Sequence, residues 1–572
     1  MHRLFETHTL RREWDLGGLW HVQTPVRTMD AWVPGCWENL PGLERYRGQA
    51  EYSRSITVPD DGFMRLVFEG VSHTAAVYLD DVCLGHHYGA YGQFAFCCRP
   101  GAGAHTLRLQ VDNSFSDASV LHRPNDYMTY GGITRPCRME EIAPVYIQRM
   151  RVLPVREGEN WRLDIQIVLE NLDCRPRDIS LRLQAGDAQT SLTARMPANA
   201  AETFSWAIPE FQGALWHPDT PRLHLLRAAL FLDGAAADDL IERFGLREAV
   251  WDAKGLRLNG RRLQLRGVNR HEDMAGFGCA VPVEAMARDL QLIKALGLNA
   301  IRTCHYPNDP RFLDLCDEMG LLVWEEGHAR GLDEQAMRLP GFMPQSRLTL
   351  TEMITQHANH PAILIWGMLN ECASDTPFGR ACYQALFTLM RGLDASRPVV
   401  SASCRRGAQW HIPGDTRPGA LPDLCHDLED IICHNIYPGW YTDASTASVV
   451  DALWQAVQDC GGAGKPLIIS EIGAGALYGY RDPAGSKWSE ERQREILLEQ
   501  VRALLAHPHV AGFFLWQFCD CRITPEGNQF RDRPRTMNNK GLVDEYRRPK
   551  LAYAALAEAL GQGNQKKEKK HG

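Results

Sequence analysis

No run of the chain approaches the roughly 18 consecutive apolar residues that a membrane span needs. The opening MHRLFETHTLRREWDLGG also lacks the apolar centre of a secretory leader. Together these absences predict a cytoplasmic chain with no membrane partner. Positive charge is not in excess either: 62 Lys and Arg stand against 70 Asp and Glu, for a formal charge of -8. That balance offers no field for wrapping nucleic acid or lying on an acidic membrane. Without a CxxC pair, a GxGxxG or a P-loop, cysteine-based zinc sites and the common nucleotide-binding loops are not indicated. The 17 Cys are odd in number, and Cys279, Cys304 and Cys433 stand in apolar contexts that read as strand or helix. Reduced thiols serving as small core residues are expected, not a disulfide framework. No internal repeat is evident. Residues 562–572, polar and charged throughout, are expected to be a disordered tail.

What is present is length and two contrasting rhythms. A chain of 572 residues is too long for one core and predicts several domains. Over 1–145 the segments MRLVFEGV, AAVYLDDVCLG and HTLRLQVDN alternate and are broken by turn residues, as in a jelly-roll sandwich. Over 146–247 WRLDIQIVLEN, ISLRLQAG and HLLRAALFLDG continue this in a length that suits an immunoglobulin-like sandwich. From 248 to 561 apolar strands alternate with helical segments such as VEAMARDLQLIKALG, where Met286, Leu290, Ile293 and Leu296 share one face. Eight such strands, from RLQLRGVNRH to GFFLWQF, predict an α/β TIM barrel.

A TIM barrel carries its chemistry at the C-terminal ends of its strands. Polar residues gather there: Arg270, His271, His305, Glu325, Glu326, Asn370, Glu371, Asn435, Tyr437, Glu471 and Trp516. Glu371 closes ILIWGMLNE and Glu471 closes PLIISE, so each carboxylate follows a run that docks its end in a partly dry place. Two such carboxylates suit glycoside hydrolysis, one protonating the leaving oxygen while the other meets the anomeric carbon. For either Glu alone, an ion pair with a neighbouring Arg or Lys is the plainer explanation.

LQLRGVNRHED, IRTCHYPNDPRFLDLCDEMGLLVWEE, HPAILIWGMLNE and KPLIISEIG, in this order after two β domains, resemble glycoside hydrolase family 2. The resemblance spans all but the tail. It implies Glu371 as general acid/base, Glu471 as nucleophile and retention of configuration, with no cofactor and no metal required. It further implies sugar contacts for Asn370, His271, His305, Tyr437, Tyr441 and Trp516, although core packing would equally explain the aromatic residues, Tyr441 most readily.

Within the family, TMNNKG resembles the β-glucuronidase signature that grips the sugar carboxylate, placing Asn538 and Lys540 on it. NDYMTYGGITRP resembles that subfamily's barrel-entering loop, with Asp126 against the outer hydroxyls. The implied substrate is a small or oligomeric β-glucuronide, with β-galacturonide or, less readily, neutral β-galactoside as alternatives. Arg330 in EEGHARG departs from the pattern, and its position just past strand three raises the galacturonide alternative. The neighbouring Arg531, Arg533, Arg547 and Arg548 read as a solvated surface loop. The connection between Glu326 and Ser346 is short, so no large lid is expected. Glu326-x-His328 resembles a fragment of a β-galactosidase metal site but offers too few ligands. A homo-oligomer, dimer or tetramer, follows from the family alone, and so does the further possibility of a non-enzymatic sugar-binding protein.

Overall fold

The structure, a computed structural model, describes residues 2–404, 423–526 and 533–568. Arg531 lies outside the described residues. A four-stranded and a six-stranded antiparallel sheet form the first domain. Their inward positions, among them Trp20, Tyr52, Leu66, Phe68, Leu107 and Leu109, share one core. The alternation in the sequence produces this directly, because successive strand residues face opposite sides and one side must be buried. A three-stranded and a four-stranded sheet form the second domain around Ile165, Leu181 and Leu230.

The eight expected barrel strands close on one another in sequence order. They are Leu265–Asn269, Ala300–Thr303, Leu322–Glu326, Ile363–Asn370, Val399–Ser403, Ile432–Asn435, Leu467–Ile472 and Val510–Leu515. Nearly every residue in them is buried, because the barrel interior covers one face and the helices cover the other. Helix ends are set by local chemistry. Asp309 caps Pro310–Met319 by accepting from the backbone N–H of Arg311, and Gly320 at φ 69 ends it in the left-handed region. Among the described residues no helix is long and apolar enough to cross a membrane.

Two-sided burial also decides where polar strand-end residues point, and here the expected ring at the mouth is corrected. Arg270 turns outward and pairs with Asp289, its guanidinium 4.2 Å over the Phe312 ring. Glu325 likewise turns outward to His357 Nδ1 at 2.8 Å. Neighbouring positions on a strand face opposite sides, so only one of each pair can reach the mouth. Asp289 also takes Arg547 at 2.9 Å, which removes Arg547 from the solvated surface expected for it. Arg548 fits that expectation better, half-exposed beside Asp544. Asp289→Ala leaves two guanidiniums buried without a counter-charge and is expected to cost about 3–5 kcal/mol, measured as a shift in the urea midpoint.

None of the 17 cysteines is in a disulfide. Cys279, read as strand or helix, instead sits in the connection after the first barrel strand. The last helix, Leu551–Glu568, runs into the segment expected to be a disordered tail; residues 569–572 lie outside the described residues.

Candidate active site

Glu471 stands at the end of the seventh barrel strand and is 3% exposed. Its Oε1 accepts from Arg302 at 3.0 Å and its Oε2 from the Tyr437 hydroxyl at 2.6 Å. Burial pushes its carboxyl up to about 7; the nearby charge of Glu371 adds to that push while Arg302, Tyr437 and Arg330 pull it down. Tyr437 is itself held well above the ordinary phenol range by burial and by Glu471, so it remains a donor. Attack by Glu471 requires its ionised form, so kcat/KM is expected to fall about tenfold per unit as pH drops below about 7. Glu371→Gln removes the like charge and should move that limb to lower pH, as a pH profile on a substrate with a good leaving group would show.

Glu371 begins the turn after the fourth strand with φ 52, a strained value for a side-chain-bearing residue. The strain is held by its neighbours: its N–H donates to the carbonyl of Ala402, and Asn370 forms a backbone bridge with Arg330. Glu371 Oε1 accepts from Asn435 Nδ2 at 2.9 Å, and Oε2 from Arg330 at 3.3 Å. Asn370 Oδ1 accepts from Arg302 at 2.8 Å and from Asn435 at 3.1 Å. Its Nδ2 has no protein partner among the described residues, which leaves a buried donor for a ligand oxygen.

Arg302 organises this floor. Fully buried, it reaches Glu326, Glu471, Asn269 and Asn370 at once. Burial would lower its basicity, but Glu326 and Glu471 raise it above the ordinary value. The sequence reading missed it. An arginine inside the buried strand AIRT was the available signal, since such a residue must be paired.

His305 Nδ1 faces Glu326 Oε1 at 2.8 Å, and its ring lies against Trp516 with centroids 5.2 Å apart. His271 Nδ1 meets the Tyr306 hydroxyl at 3.2 Å, while its Nε2 has no partner among the described residues. Burial drives both imidazoles well below their ordinary pKa, so both are neutral.

A cavity of about 180 Å³ opens over these groups. It is smaller than the roughly 300–1,000 Å³ of drug-sized sites, which suits one sugar unit better than a chain segment. Glu371, Glu471, Tyr437 and Trp516 line it with Asp126, Arg330, Tyr441 and Lys540. His271, His305, Asn370 and Asn538 are not among the residues that line it. Tyr441 is 47% exposed at the rim and is not a core residue.

Arg533, expected on the surface, lines the cavity as well and grips both oxygens of Asp126 at 2.9 and 2.8 Å. Burial pushes Asp126 up, but Lys540, Arg533 and Arg330 together hold it below the usual carboxylate value. Lys540 is 2% exposed, and among the described residues its Nζ donates only to Asn538 Oδ1 at 3.3 Å. Among the described residues no carboxylate lies within salt-bridge distance of it. A buried ammonium of this kind calls for an anion from outside the protein.

Among the described residues, Glu326 and His328 are not in a cluster of three potential metal ligands. Both Glu326 oxygens accept from Arg302, and His328 Nδ1 faces the His305 carbonyl at 3.2 Å. The connection carrying His328 and Arg330 holds one four-residue helix, Glu334–Met337.

Residues 249–562 match the family described as glycosyl hydrolases family 2, TIM barrel domain. The crystal structure of a family 2 β-galacturonidase from Eisenbergiella tayi bound to galacturonate is 44% identical, with a TM-score of 0.92 and coverage of 98% of this chain and 99% of that one. A β-glucuronidase of Bacteroides fragilis is 28% identical over 580 residues, covering 93% of this chain and 78% of its own. A longer relative from Formosa agariphila is 28% identical over 437 residues, so that this chain spans half its length.

Proposed function

The chain belongs to glycosyl hydrolases family 2, and from that premise we propose that it is a retaining, exo-acting β-hexuronidase whose preferred substrates are β-galacturonides. The observation that carries the uronide reading is Lys540: a buried ammonium with no carboxylate within salt-bridge distance among the described residues, in the same cavity as Glu371 and Glu471. A uronic acid brings the missing anion, and a neutral sugar leaves the cation unpaired.

Glu371 gives its proton to the glycosidic oxygen, and the leaving group departs as an alcohol. Glu471 attacks the anomeric carbon and forms a glycosyl ester. Water then attacks that carbon, losing its proton to Glu371, and the sugar leaves with its starting configuration. Arg302 and Tyr437 hold the two oxygens of Glu471 throughout. The free Nδ2 of Asn370 supplies a donor for the hydroxyl beside the reacting carbon, where a contact that strengthens in the transition state is worth most. Asn538 and Lys540 take the sugar carboxylate, and Asp126, fixed by Arg533, faces the outer hydroxyls.

Preference for the galacturonide rests on two supports. One is the near full-length likeness to the Eisenbergiella tayi β-galacturonidase. The other is Arg330, whose guanidinium enters the cavity between Asn125 and Glu371. Its Nε lacks a protein partner among the described residues, leaving a donor for a sugar hydroxyl. The β-glucuronide is the second reading, favoured by Asn538 and Lys540 and by relatives such as the Bacteroides fragilis enzyme. The deciding measurement is kcat/KM on matched aryl β-galacturonide, β-glucuronide and β-galactoside. Arg330→Ala is expected to slow both uronides and to narrow the galacturonide to glucuronide ratio by about tenfold, the worth of one hydrogen bond to a charged group. An unchanged ratio removes Arg330 from the preference, and fastest turnover of the neutral galactoside overturns the uronide reading.

A further inference from the structure

Away from the cavity, the first domain and the barrel meet at a pair of thiols. Cys36 Sγ and Cys279 Sγ lie 3.6 Å apart although 243 positions separate them in the chain. Cys36 is buried and also points its S–H at the Phe277 carbonyl, 3.5 Å away. Cys279 is partly exposed, in a turn whose tip includes the exposed Phe277.

We propose that Cys36 and Cys279 are a thiol modification site that a small-molecule disulfide converts into a covalent bond between the amino-terminal domain and the barrel. A disulfide needs about 2.05 Å between sulfurs, so the gap must close by about 1.5 Å, within reach of side-chain rotation. Packing already holds the two sulfurs face to face. Gly278, at φ 60, leaves so little room that a Cβ there would stand 2.9 Å from Cys36 Sγ and 2.9 Å from the Tyr130 ring. Tyr130 in turn donates to Asp273 at 2.7 Å, tying the same loop to the barrel.

The reaction balances in two exchanges. The Cys279 thiolate attacks R–S–S–R, forming a mixed disulfide and releasing one RS⁻. The Cys36 thiolate then attacks the Cys279 sulfur and releases the second RS⁻. The two protein thiols are oxidised, the small disulfide is reduced to two thiols, and the two protons pass to them. The neighbouring Cys36 thiol, and then burial, hold the Cys279 pKa well above the ordinary value, so the first exchange is slow at neutral pH and speeds up as pH rises. The bond would fasten the base of the loop that carries Asp126, which lies between Asn125 and Tyr127 a few residues from Tyr130.

The test uses the full chain. It is incubated with oxidised glutathione, its remaining thiols are blocked with N-ethylmaleimide, and its peptides are mapped without reduction. The expected result is a Cys36 peptide joined to a Cys279 peptide, absent after dithiothreitol and absent in Cys279→Ser. The oxidised protein should also lose activity more slowly on heating, and dithiothreitol should reverse that gain. Cys279 stopping at the glutathione adduct while Cys36 still takes the maleimide would overturn the proposal, as would unchanged alkylation of both. A second measurement needs no variant. Phenylarsine oxide, which bridges two adjacent thiols, should protect Cys36 and Cys279 together; protection of one alone, or of neither, contradicts the pairing.

Discussion

Glu471→Gln is expected to lower kcat on an aryl β-uronide by about four orders of magnitude while the free uronic acid still binds. The substitution keeps the size of the side chain and an oxygen that can accept from Arg302, but it puts an NH2 where the second oxygen accepted from Tyr437 and removes the carboxylate charge that forms the ester. Glu371→Gln should behave differently. Hydrolysis of a substrate with a poor leaving group loses roughly 10²- to 10⁴-fold, because protonation of that oxygen is lost. A substrate with a good leaving group loses little in its first step and then stalls at the ester, giving a burst. Azide separates the roles further. With Glu371→Ala it intercepts the ester from the face water would use and yields the β-azide. With Glu471→Gly it occupies the emptied space and yields the α-azide. If the two stereochemical outcomes were exchanged, the assignments of acid/base and nucleophile would have to be exchanged as well.

Lys540→Ala is expected to cost uronide turnover about 2–5 kcal/mol in kcat/KM, a factor of roughly 30 to several thousand. The corresponding neutral β-galactoside should lose little, or gain. The asymmetry follows from burial. An ammonium that is 2% exposed has surrendered most of its hydration, so its partner anion is worth far more there than at an open surface. Removing the cation also leaves the sugar carboxylate facing Asp126, a like charge. Lys540→Arg should recover only part of the loss, since the planar fork is longer and wider than the ammonium it replaces. Equal losses on charged and neutral sugars would mean that Lys540 supports the fold of the wall and does not read the substrate.

The eight barrel strands were legible because they are largely apolar runs, most with a polar residue at or next to their C-terminal end, and the closed barrel follows that order. What the one-dimensional pattern lacked was facing. Arg270 and Glu325 carry the same signature as His271 and Glu326 yet turn toward the helices, since neighbouring strand residues take opposite sides. Glu371 and Glu471 were legible as carboxylates after apolar runs, marked also by the family likeness, and the structure brings both to one cavity. Arg533 was not. Its partner Asp126 lies 407 positions earlier, and in a run of arginines nothing local distinguishes the buried one. Arg302 was readable in principle, as a charge inside a buried strand, but its four partners come from the first, third, fourth and seventh strands and converge only in the closed barrel.

Asp126 belongs to the amino-terminal sandwich, whereas Glu371 and Glu471, the two carboxylates proposed as catalytic, belong to the barrel. Its carbonyl accepts from Asn538 and its carboxylate from Arg533, so one wall of the cavity is donated by a domain other than the one that carries Glu371 and Glu471. Heredity can therefore act on the two tasks separately. A recombination that exchanges the first 145 residues, or drift confined to that loop, would rewrite which sugar is admitted while leaving Glu371, Glu471 and Arg302 in place. Exchange of the outer domain is thus a route to a changed cavity that stands beside single changes at Arg330 or Lys540 within the barrel.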